Sequence, residues 1–406
     1  MSKRSPSFAQ LEADSLTGRL LDAVVIGAGP AGLTAALELA AADHDVAILE
    51  KQPFPRSKVC GDGLISDSIR MLRRLGLYEV VRSQGHALEA ARLFSPSQYA
   101  VDIPGEFLTI RRDLFDTLLA QAAVGRGASF AVADVLGIEE RPGRVLLRCR
   151  GTEARLAARL AVVATGADIR PIRSPAPSTP TQPSAVAVRC YARSSVSADR
   201  MIVSFDQSIL PGYGWIFPLG NQEFNLGCGV FRRGRAGRKA NLRTMFQAML
   251  EFFPPAREVV ANGALTSPLK GAPLRCGLRG VPTYAGGRVV AVGETTGTTF
   301  PFTGEGIGKA METGALAADH VNTALAAGSL EPLERLPLAI QSALEPRYHG
   351  YNIAERWLSH PWVSDFLIKR AQGSEALRNA AAGVLNETVD PSAIFSWRGV
   401  VASLIR

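Results

Sequence analysis

Residues 21–32 read Leu-Asp-Ala-Val-Val-Ile-Gly-Ala-Gly-Pro-Ala-Gly, an apolar run that leads into a glycine-rich segment. The apolar run over residues 21–26 predicts a parallel strand that is buried on both faces. The alanine-rich run over residues 33–42 predicts a helix. A strand that passes through a glycine-rich turn directly into a helix is typical of dinucleotide-binding domains.

The residues of this turn have separate predicted roles. Gly27 permits the tight turn, Gly29 lets the backbone approach a pyrophosphate, and Gly32 lets the helix pack closely on the strand. Pro30 and Ala31 open the helix, whose free N–H groups and partial positive charge favour phosphate binding. The turn is therefore predicted to hold the phosphates of a dinucleotide.

A second predicted strand, residues 46–49, ends at an acidic residue. Glu50 is placed to accept hydrogen bonds from the ribose diol of the dinucleotide. Lys51 follows it directly, and we assign it to the same cofactor site.

A later strand and helix distinguish FAD from NAD. Residues 287–294 predict a strand that ends at Gly293 and Glu294, and a further glycine-rich turn then opens a helix. The carboxylate suits the hydroxyls of a ribityl chain, and the helix N-terminus suits the flavin edge where negative charge appears on reduction. We therefore expect FAD, with additional contacts from Gly304, Gly306 and Ile307.

These two segments, in this order, resemble the aromatic-hydroxylase superfamily of flavoproteins. Residues 112–116, Arg-Asp-Leu-Phe-Asp, match that superfamily's pattern of an arginine, two residues, an apolar residue and an aspartate at a helix start. The resemblance implies that Arg112 contacts FAD. An arginine bonded to a neighbouring loop is the structural alternative.

Residues 57–64, Ser-Lys-Val-Cys-Gly-Asp-Gly-Leu, resemble the Lys-x-Cys-Gly-x-Gly segment of the geranylgeranyl reductase family. In that family this loop runs along the flavin. The resemblance therefore implies that Cys60, Gly61 and Gly63 belong to the cofactor site. A packed thiol without chemistry is the alternative for Cys60.

Residues 211–218, Pro-Gly-Tyr-Gly-Trp-Ile-Phe-Pro, match the same family's Tyr-x-Trp-x-Phe-Pro signature. Alternate side chains of an extended segment share one face, so Tyr213, Trp215 and Phe217 should line one side of a strand. The intervening glycines leave the other side bare for a flat group or another backbone. Tyr213, Trp215 and Cys60 form the candidate catalytic set, and an ordinary core strand is the alternative.

Two positions depart from the family pattern. Glu294 stands where most members have an aspartate, so the longer side chain must repack. Asp168 is followed by Ile169 where relatives commonly carry glycine. Because isoleucine does not take positive φ cheaply, the turn must differ there, which weakens the monooxygenase interpretation.

The predicted fold class is α/β: a Rossmann-like FAD/NAD(P)-binding domain of the glutathione-reductase/aromatic-hydroxylase type, an inserted mixed β-sheet substrate domain, and a helical C-terminal region. We assign residues 18–63, 106–168 and 284–329 to the first domain and 64–105 and 184–283 to the second. Residues 330–406 form the helical region, with helices at 333–344, 351–358 and 362–371. Residues 1–17 are expected to be flexible, and residues 171–183 to form a linker.

The composition bounds the partners. The chain has 47% hydrophobic and 20% charged residues and a net charge of +8. No basic run is interleaved with aromatic residues, so we expect no nucleic-acid partner. The cysteines and histidines are scattered without metal-ligand spacing, so we expect no metal. We expect a cytoplasmic protein. A C-terminal amphipathic segment at 395–405 leaves open a peripheral contact with the inner face of the membrane, a tunnel cap or core packing.

The resemblance implies an FAD-dependent reductase that saturates carbon-carbon double bonds of an isoprenoid chain by hydride transfer from reduced flavin. No second dinucleotide unit is evident, so electrons would come from transiently bound NADPH or from a protein donor such as a ferredoxin or a reductase. Cys60, Tyr213 and water remain alternatives for the proton donor. The rival functions are an FAD-dependent monooxygenase or epoxidase acting on a prenylated or other hydrophobic molecule, a halogenase, and a prenyl-binding protein without activity.

Overall fold

The computed structural model describes residues 8–153, 155–172, 182–232, 234–284, 286–301, 303–358 and 360–391. The amphipathic segment predicted at 395–405 lies outside these ranges, and so does most of the predicted linker at 171–183. The described chain forms two β-sheets, with helices on the first sheet and at the C-terminal end.

The strands, in chain order, are β1 (Leu11–Glu12), β2 (Leu20–Ile26), β3 (Val46–Glu50), β4 (Gly63–Leu64), β5 (His86–Phe94), β6 (Ala100–Thr109), β7 (Ser129–Val132), β8 (Val135–Arg141), β9 (Arg144–Cys149), β10 (Arg155–Val163), β11 (Ala185–Ser194), β12 (Met201–Ser204), β13 (Tyr213–Gly220), β14 (Glu223–Phe231), β15 (Gly263–Leu265), β16 (Lys270–Leu274) and β17 (Val289–Ala291).

The helices are α1 (Pro30–Ala41), α2 (Ser66–Arg74), α3 (Tyr78–Gln84), α4 (Arg112–Gly125), α5 (Gly234–Lys239), α6 (Leu242–Phe252), α7 (Pro254–Ala261), α8 (Ile307–Ala327), α9 (Glu331–Leu358), α10 (Pro361–Gly373) and α11 (Glu375–Leu385).

The first sheet has the order β1-β7-β3-β2-β10-β9-β8, with β17 paired to β10. Strands β1, β7, β3, β2, β10 and β17 are parallel to one another, while β9 pairs antiparallel with β10 and with the edge strand β8. The central strands are apolar runs because one face packs under α1, α4 and α8 and the other on a second buried cluster. Their carboxyl ends meet at one edge, where ligands bind in such sheets.

The second sheet has the order β15-β11-β14-β13-β12-β5-β6-β4, with β16 paired to β11. It is antiparallel except for the parallel pair β5 and β12. One side of β13 and β14 packs against α6 in a separate hydrophobic cluster. The sheet therefore has its own core and leaves its other side for the site described below.

Two expectations about the ends of the chain need correction. Within the N-terminal segment expected to be flexible, residues 11–12 form β1 on the parallel sheet, and Leu16 is fully buried behind it. The helices predicted at 333–344 and 351–358 are one continuous helix, α9, with Pro337 and Pro346 inside it. None of the helices within the described ranges has both the length and the apolarity needed to cross a bilayer.

Candidate active site

The turn between β2 and α1 can be closed only by glycine at two positions. Gly27 has a φ of +100°, and a Cβ there would lie 2.4 Å from the Ala164 carbonyl oxygen. A Cβ at Gly32 would lie 2.0 Å from the Gly27 carbonyl oxygen. At Gly29, by contrast, a Cβ would meet nothing within 4 Å. This open space at the α1 N-terminus fits a cofactor phosphate.

Glu50, at the end of β3, is held beside this turn. Its Oε2 accepts a hydrogen bond from the Ala28 N–H at 3.0 Å, and its Oε1 accepts one from the Gln52 N–H at 3.3 Å. Arg56, which the sequence analysis missed, places its Nε 3.3 Å from Glu50 Oε2 and donates to the Ala28 carbonyl at 2.7 Å. The carboxylate is thus fixed at the position from which it can accept from a ribose.

Lys51 does not join this group. Its Nζ lies 3.4 Å from Asp168 Oδ2, and its side chain is half exposed. Arg170 donates twice to the Asp168 carboxylate and holds the pKa of that aspartate well below its ordinary value. In the turn at residues 166–169, the positive φ of +68° occurs at Gly166. Ile169 therefore does not have to adopt a positive φ, which a β-branched residue disfavours.

Glu294 stands at the same edge of the sheet, in the turn that follows β17. Its Oε1 accepts from the Arg275 N–H at 3.2 Å, which is how the longer side chain is accommodated. A Cβ at Gly166, beyond the end of β10, would lie 3.4 Å from Glu294 Oε2. A Cβ at Gly293 would lie 2.8 Å from the Ala31 Cβ, so the two predicted cofactor segments meet.

Arg112 begins α4 and is buried. Its Nε and Nη2 donate to the two carboxylate oxygens of Asp116, one turn along the helix, at 2.8 and 2.9 Å. Arg112 and Cys60 both line the cavity that contains Gly29. Burial raises the pKa of the Cys60 thiol, although Arg112 opposes this, so the sulfur is kept protonated.

The loop at residues 60–63 lies directly on the aromatic segment of β13. A Cβ at Gly61 would come within 3.2 Å of the Phe217 ring, and one at Gly63 within 2.7 Å of the Met201 methyl group. The absence of side chains at these glycines therefore lets the loop lie on the aromatic strand. Both family signatures contribute to one cavity wall.

The three aromatic side chains of β13 share one face, as predicted. Tyr213, Trp215 and Phe217 all line the cavity, with successive ring centroids 5.9 and 6.4 Å apart. The opposite face packs against the core helix α6, because a Cβ at Gly214 would lie 2.6 Å from the Met249 sulfur on that helix. The aromatic strand thus has one core face and one cavity face.

A glycine on the neighbouring strand makes room for the indole. Gly227 on β14 pairs with Trp215, and a Cβ there would lie 2.1 Å from the indole ring. The ring therefore occupies the space that a side chain at residue 227 would fill. The residues Gly227-Cys228-Gly229 are the sequence signal that could have indicated this.

Asn225 connects the two signatures by hydrogen bonds that the sequence analysis missed. Its Oδ1 accepts from Trp215 Nε1 at 2.9 Å, and its Nδ2 donates to the Cys60 carbonyl and to Asp62 Oδ2, both at 2.8 Å. The Tyr191 hydroxyl also donates to Asp62 Oδ2 at 2.8 Å. Burial raises the pKa of Asp62 to about 6, against these donors. The network fixes the cysteine loop to the aromatic strand.

The loop before α8 completes the wall. Gly304 has a φ of +71°, and a Cβ there would lie 2.3 Å from the Tyr213 hydroxyl. Gly304, Glu305, Gly306 and Ile307 all line the cavity. Among the described residues, Glu305 Oε2 is buried without a hydrogen-bond partner. Gly304, Gly306 and Ile307 were predicted as cofactor contacts, whereas Glu305 was not.

One cavity of about 400 Å³ joins these parts. Its cofactor half is bounded by Gly29, Glu294 and the loops described above. Its apolar half lies beyond the aromatic strand, between the second sheet and helices α9 to α11. Side chains that line the apolar half include Ile65, Leu93, Ile103, Ile368, Leu377 and Leu385.

Buried charges pin the C-terminal helices over the apolar half. Lys309 Nζ, fully buried on α8, lies 3.3 Å from Asp67 Oδ2 and 2.5 Å from Glu387 Oε1. Glu387 follows α11 and also pairs with Arg70 and Arg347, at 2.6 and 3.0 Å. A buried pair of this kind fixes geometry, because removing one partner leaves an uncompensated charge.

The predicted site residues divide into three groups by position. Most of them line the cavity. Gly27, Gly32, Glu50 and Gly293 shape the turns behind its wall. The Lys51 side chain lies against Asp168 instead. The open α1 N-terminus, with Glu50 at one side and Glu294 at the other, fits FAD.

Comparisons with known proteins agree with this geometry. Residues 21–320 match the FAD binding domain family. A menaquinone reductase of Mycobacterium tuberculosis is 30% identical, with 91% of each chain covered. A digeranylgeranylglycerophospholipid reductase of Methanopyrus kandleri is 28% identical over 73% of this chain and 79% of that protein.

Two solved structures show the same fold. A geranylgeranyl bacteriochlorophyll reductase-like protein from Thermoplasma acidophilum has a TM-score of 0.76 and 20% identity, with 96% of each chain covered. A flavin-dependent brominase has a TM-score of 0.74 and 18% identity, with 96% of this chain and 100% of that chain covered. With the family match and the curated relatives, the chain belongs to the geranylgeranyl reductase family of FAD-dependent oxidoreductases.

Proposed function

We propose that this protein saturates double bonds in the isoprenoid chain of a lipid. The observation that carries the proposal is the continuity of the cavity, which leads from the cofactor half past Tyr213 and Trp215 into an apolar half. An apolar cleft that opens onto a cofactor site suits a long hydrophobic substrate whose reacting bond must reach the flavin.

The names of the curated relatives favour a lipid quinone as the first substrate to test. The menaquinone reductase is similar over almost the whole chain, whereas the phospholipid reductase is similar over a smaller part. A quinone with a prenyl side chain offers both a flat ring and a flexible apolar tail. The tail would occupy the apolar half of the cavity.

The side chains of the protein would position the reactants. The α1 N-terminus and Glu50 would hold the phosphates and ribose of FAD, and Glu294 would hold its ribityl hydroxyls. Bound reduced flavin supplies a hydride. Tyr213, Trp215 and Phe217 would fix the alkene against the cofactor and exclude water, since an isolated alkene depends on geometry for its reaction. We propose NADPH or a protein donor as the reductant.

The decisive experiment distinguishes saturation of the chain from reduction of a quinone ring. The purified protein is reduced anaerobically with dithionite and mixed with menaquinone, and the lipid is extracted. The extract is then reoxidised in air before mass spectrometry. Reoxidation returns a quinol to the quinone, so only saturation of the side chain leaves a persistent gain of two hydrogens per bond.

A persistent gain supports the proposal. A gain that disappears on reoxidation would mean that the ring is the substrate. If neither menaquinone nor a geranylgeranyl phospholipid gains hydrogen, the proposal is wrong. Stoichiometric oxygen consumption with an oxygenated product would instead support a monooxygenase. A parallel reaction with NADPH in place of dithionite tests the reductant.

A further inference from the structure

We infer that Glu305 is the proton donor of the reaction, a residue that neither the family signatures nor the sequence analysis assigned. The inference rests on the proposed function, because it names the group that completes saturation of the double bond. A hydride at one carbon must be matched by a proton at the other, and the cavity must supply it.

Glu305 lies in the wall of the cavity, in the loop before α8. Its neighbours Gly304 and Gly306 line the cavity with it, and Gly304 lies against the Tyr213 hydroxyl. Glu305 is therefore at the junction of the aromatic strand and the N-terminus of α8, between the two halves of the cavity. A donor for an alkene held against the flavin has to be at this junction.

The surroundings of the Glu305 carboxyl group favour its protonated form. Glu305 Oε2 is buried and accepts no hydrogen bond within 3.5 Å from the described residues, although the Thr303 side chain lies near the carboxyl group. A buried carboxylate without a donor is costly, so the group is expected to hold a proton. Charges face it from three elements: Asp67 on α2, Lys309 on α8 and Glu387 after α11.

These charges favour the neutral form. Burial, with the carboxylates of Asp67 and Glu387 adding to it, raises the pKa of Glu305 to about 8, although Lys309 and the Thr303 side chain, as a hydrogen-bond donor, oppose the shift. The carboxyl group is then protonated at pH 7 and can lose its proton to a base. The phenols of Tyr213 and Tyr351 lie near it, and burial raises the pKa of each.

The other ionisable groups of the wall are less suitable. Burial raises the pKa of the Cys60 thiol, and the Tyr213 phenol is held protonated in the same way. Asp67 is paired with Lys309, and Glu294 is held by the Arg275 N–H at the far side of the site. Efficient general acids have a pKa near the working pH, which selects Glu305 among the described lining residues.

In the proposed step the Glu305 O–H bond breaks and a C–H bond forms at one alkene carbon. The other carbon receives the hydride, so both electrons come from the bound reduced flavin. The Glu305 carboxylate regains its proton from solvent after the saturated product has left the cavity.

The test combines infrared spectroscopy with turnover. In the infrared spectrum of the wild-type protein, a band of a protonated carboxyl group should disappear as the pH rises through about 8. Glu305→Gln should lack that band, keep its flavin absorbance and reduction by dithionite, and lose prenyl saturation by about 100-fold or more. Glu305→Asp should recover part of the activity. The control is Glu331→Gln on α9, which removes an exposed carboxylate paired with Arg335 and should keep the band.

The outcomes are separable. If Glu305→Gln saturates the prenyl chain at the wild-type rate with an unchanged pH profile, or if the wild-type band titrates below pH 6, Glu305 is not the donor. If the variant does not fold, the wild-type titration and Glu305→Asp decide the question. If the wild-type protein binds flavin and shows the band but saturates no prenyl lipid, the proposed function fails, and the assignment of Glu305 to that reaction fails with it.

Discussion

The cofactor half and the apolar half of the cavity are built in different ways. The cofactor half is shaped by the absence of side chains: Gly27 and Gly32 close the turn, and Gly29 leaves it open. The apolar half is shaped by side chains that the fold collects from β5, β6, β13 and three C-terminal helices. The phosphate turn of the first half depends on one short stretch of chain, whereas the second half depends on the assembly of distant elements.

Because of this difference, the two halves should differ in how well they tolerate substitutions and in what they determine about binding. At Gly27, a Cβ would lie only 2.4 Å from a carbonyl oxygen, so no larger residue fits there unless the backbone moves. A wall of apolar side chains tolerates exchanges of similar volume and changes the shape of the cavity as it does so. We therefore expect the cofactor half to determine whether FAD is held, and the apolar half to determine which lipid reacts.

The largest expected effect is that of Gly27→Ala. The new Cβ would overlap the Ala164 carbonyl oxygen at a φ of +100°, which costs about 3 kcal/mol or more. The variant should unfold at a lower temperature and contain little flavin. Thermal unfolding and the ratio of flavin to protein absorbance measure both effects.

Gly29→Ala is the matched variant in the same turn. Its Cβ meets nothing within 4 Å, so the protein should unfold at about the wild-type temperature when flavin has been removed, yet retain flavin poorly. If the two variants lose stability equally, it is wrong that Gly27 is needed to close the turn whereas Gly29 only leaves room for the cofactor.

An intermediate effect is expected where the two halves are joined. Asn225→Ala removes the partner of Trp215 Nε1 and one donor to the buried Asp62 carboxylate, which should cost about 2–3 kcal/mol. Asn262→Ala, at an exposed helix end, serves as the control and should change the unfolding free energy little.

The loss of unfolding free energy in Asn225→Ala should depend on pH in a defined direction. Asp62 has its pKa raised by burial from 3.8 to about 6 in the folded protein, so it favours the folded state below pH 4 and disfavours it above pH 6. Asn225→Ala should raise this pKa further and extend the loss of stability to higher pH. Denaturant unfolding at several pH values measures the difference, and parallel curves for the variant and the wild type would contradict the role of Asn225.

The smallest effect on stability, but a selective one on function, is expected for Ala381→Phe. Ala381 lines the apolar half from α11, so a phenyl ring would fill space there. Flavin content should be unchanged, and the unfolding free energy should fall by about 1–2 kcal/mol. Saturation of a long prenyl chain should fall several-fold more than that of a short one.

Ala376→Phe, on the exposed side of α11, is the control and should affect neither chain length. Equal losses for long and short prenyl chains in Ala381→Phe would show that the apolar half does not hold the tail. Normal activity toward both lengths would lead to the same conclusion.

Much of the cofactor half could be predicted from local sequence. The run from residue 21 to Gly32 specifies a strand, a turn and a helix, because periodicity and glycine spacing act within a few residues. Glu50 and Glu294 were identifiable because each ends a predicted strand. Lys51 was assigned by adjacency alone. It lies beyond the end of β3, and its side chain turns to Asp168.

The dinucleotide turn, the carboxylates of Glu50 and Glu294 and the aromatic face of β13 could be predicted from spacing along single segments. The hydrogen bonds by which Asn225 joins Trp215 to the cysteine loop, and the approach of Asp67 and Glu387 to Glu305, required the folded chain. Hydrogen bonds and electrostatic interactions act over a few ångströms in space. Residues that are distant in sequence meet at such distances only after the two sheets and the C-terminal helices have packed.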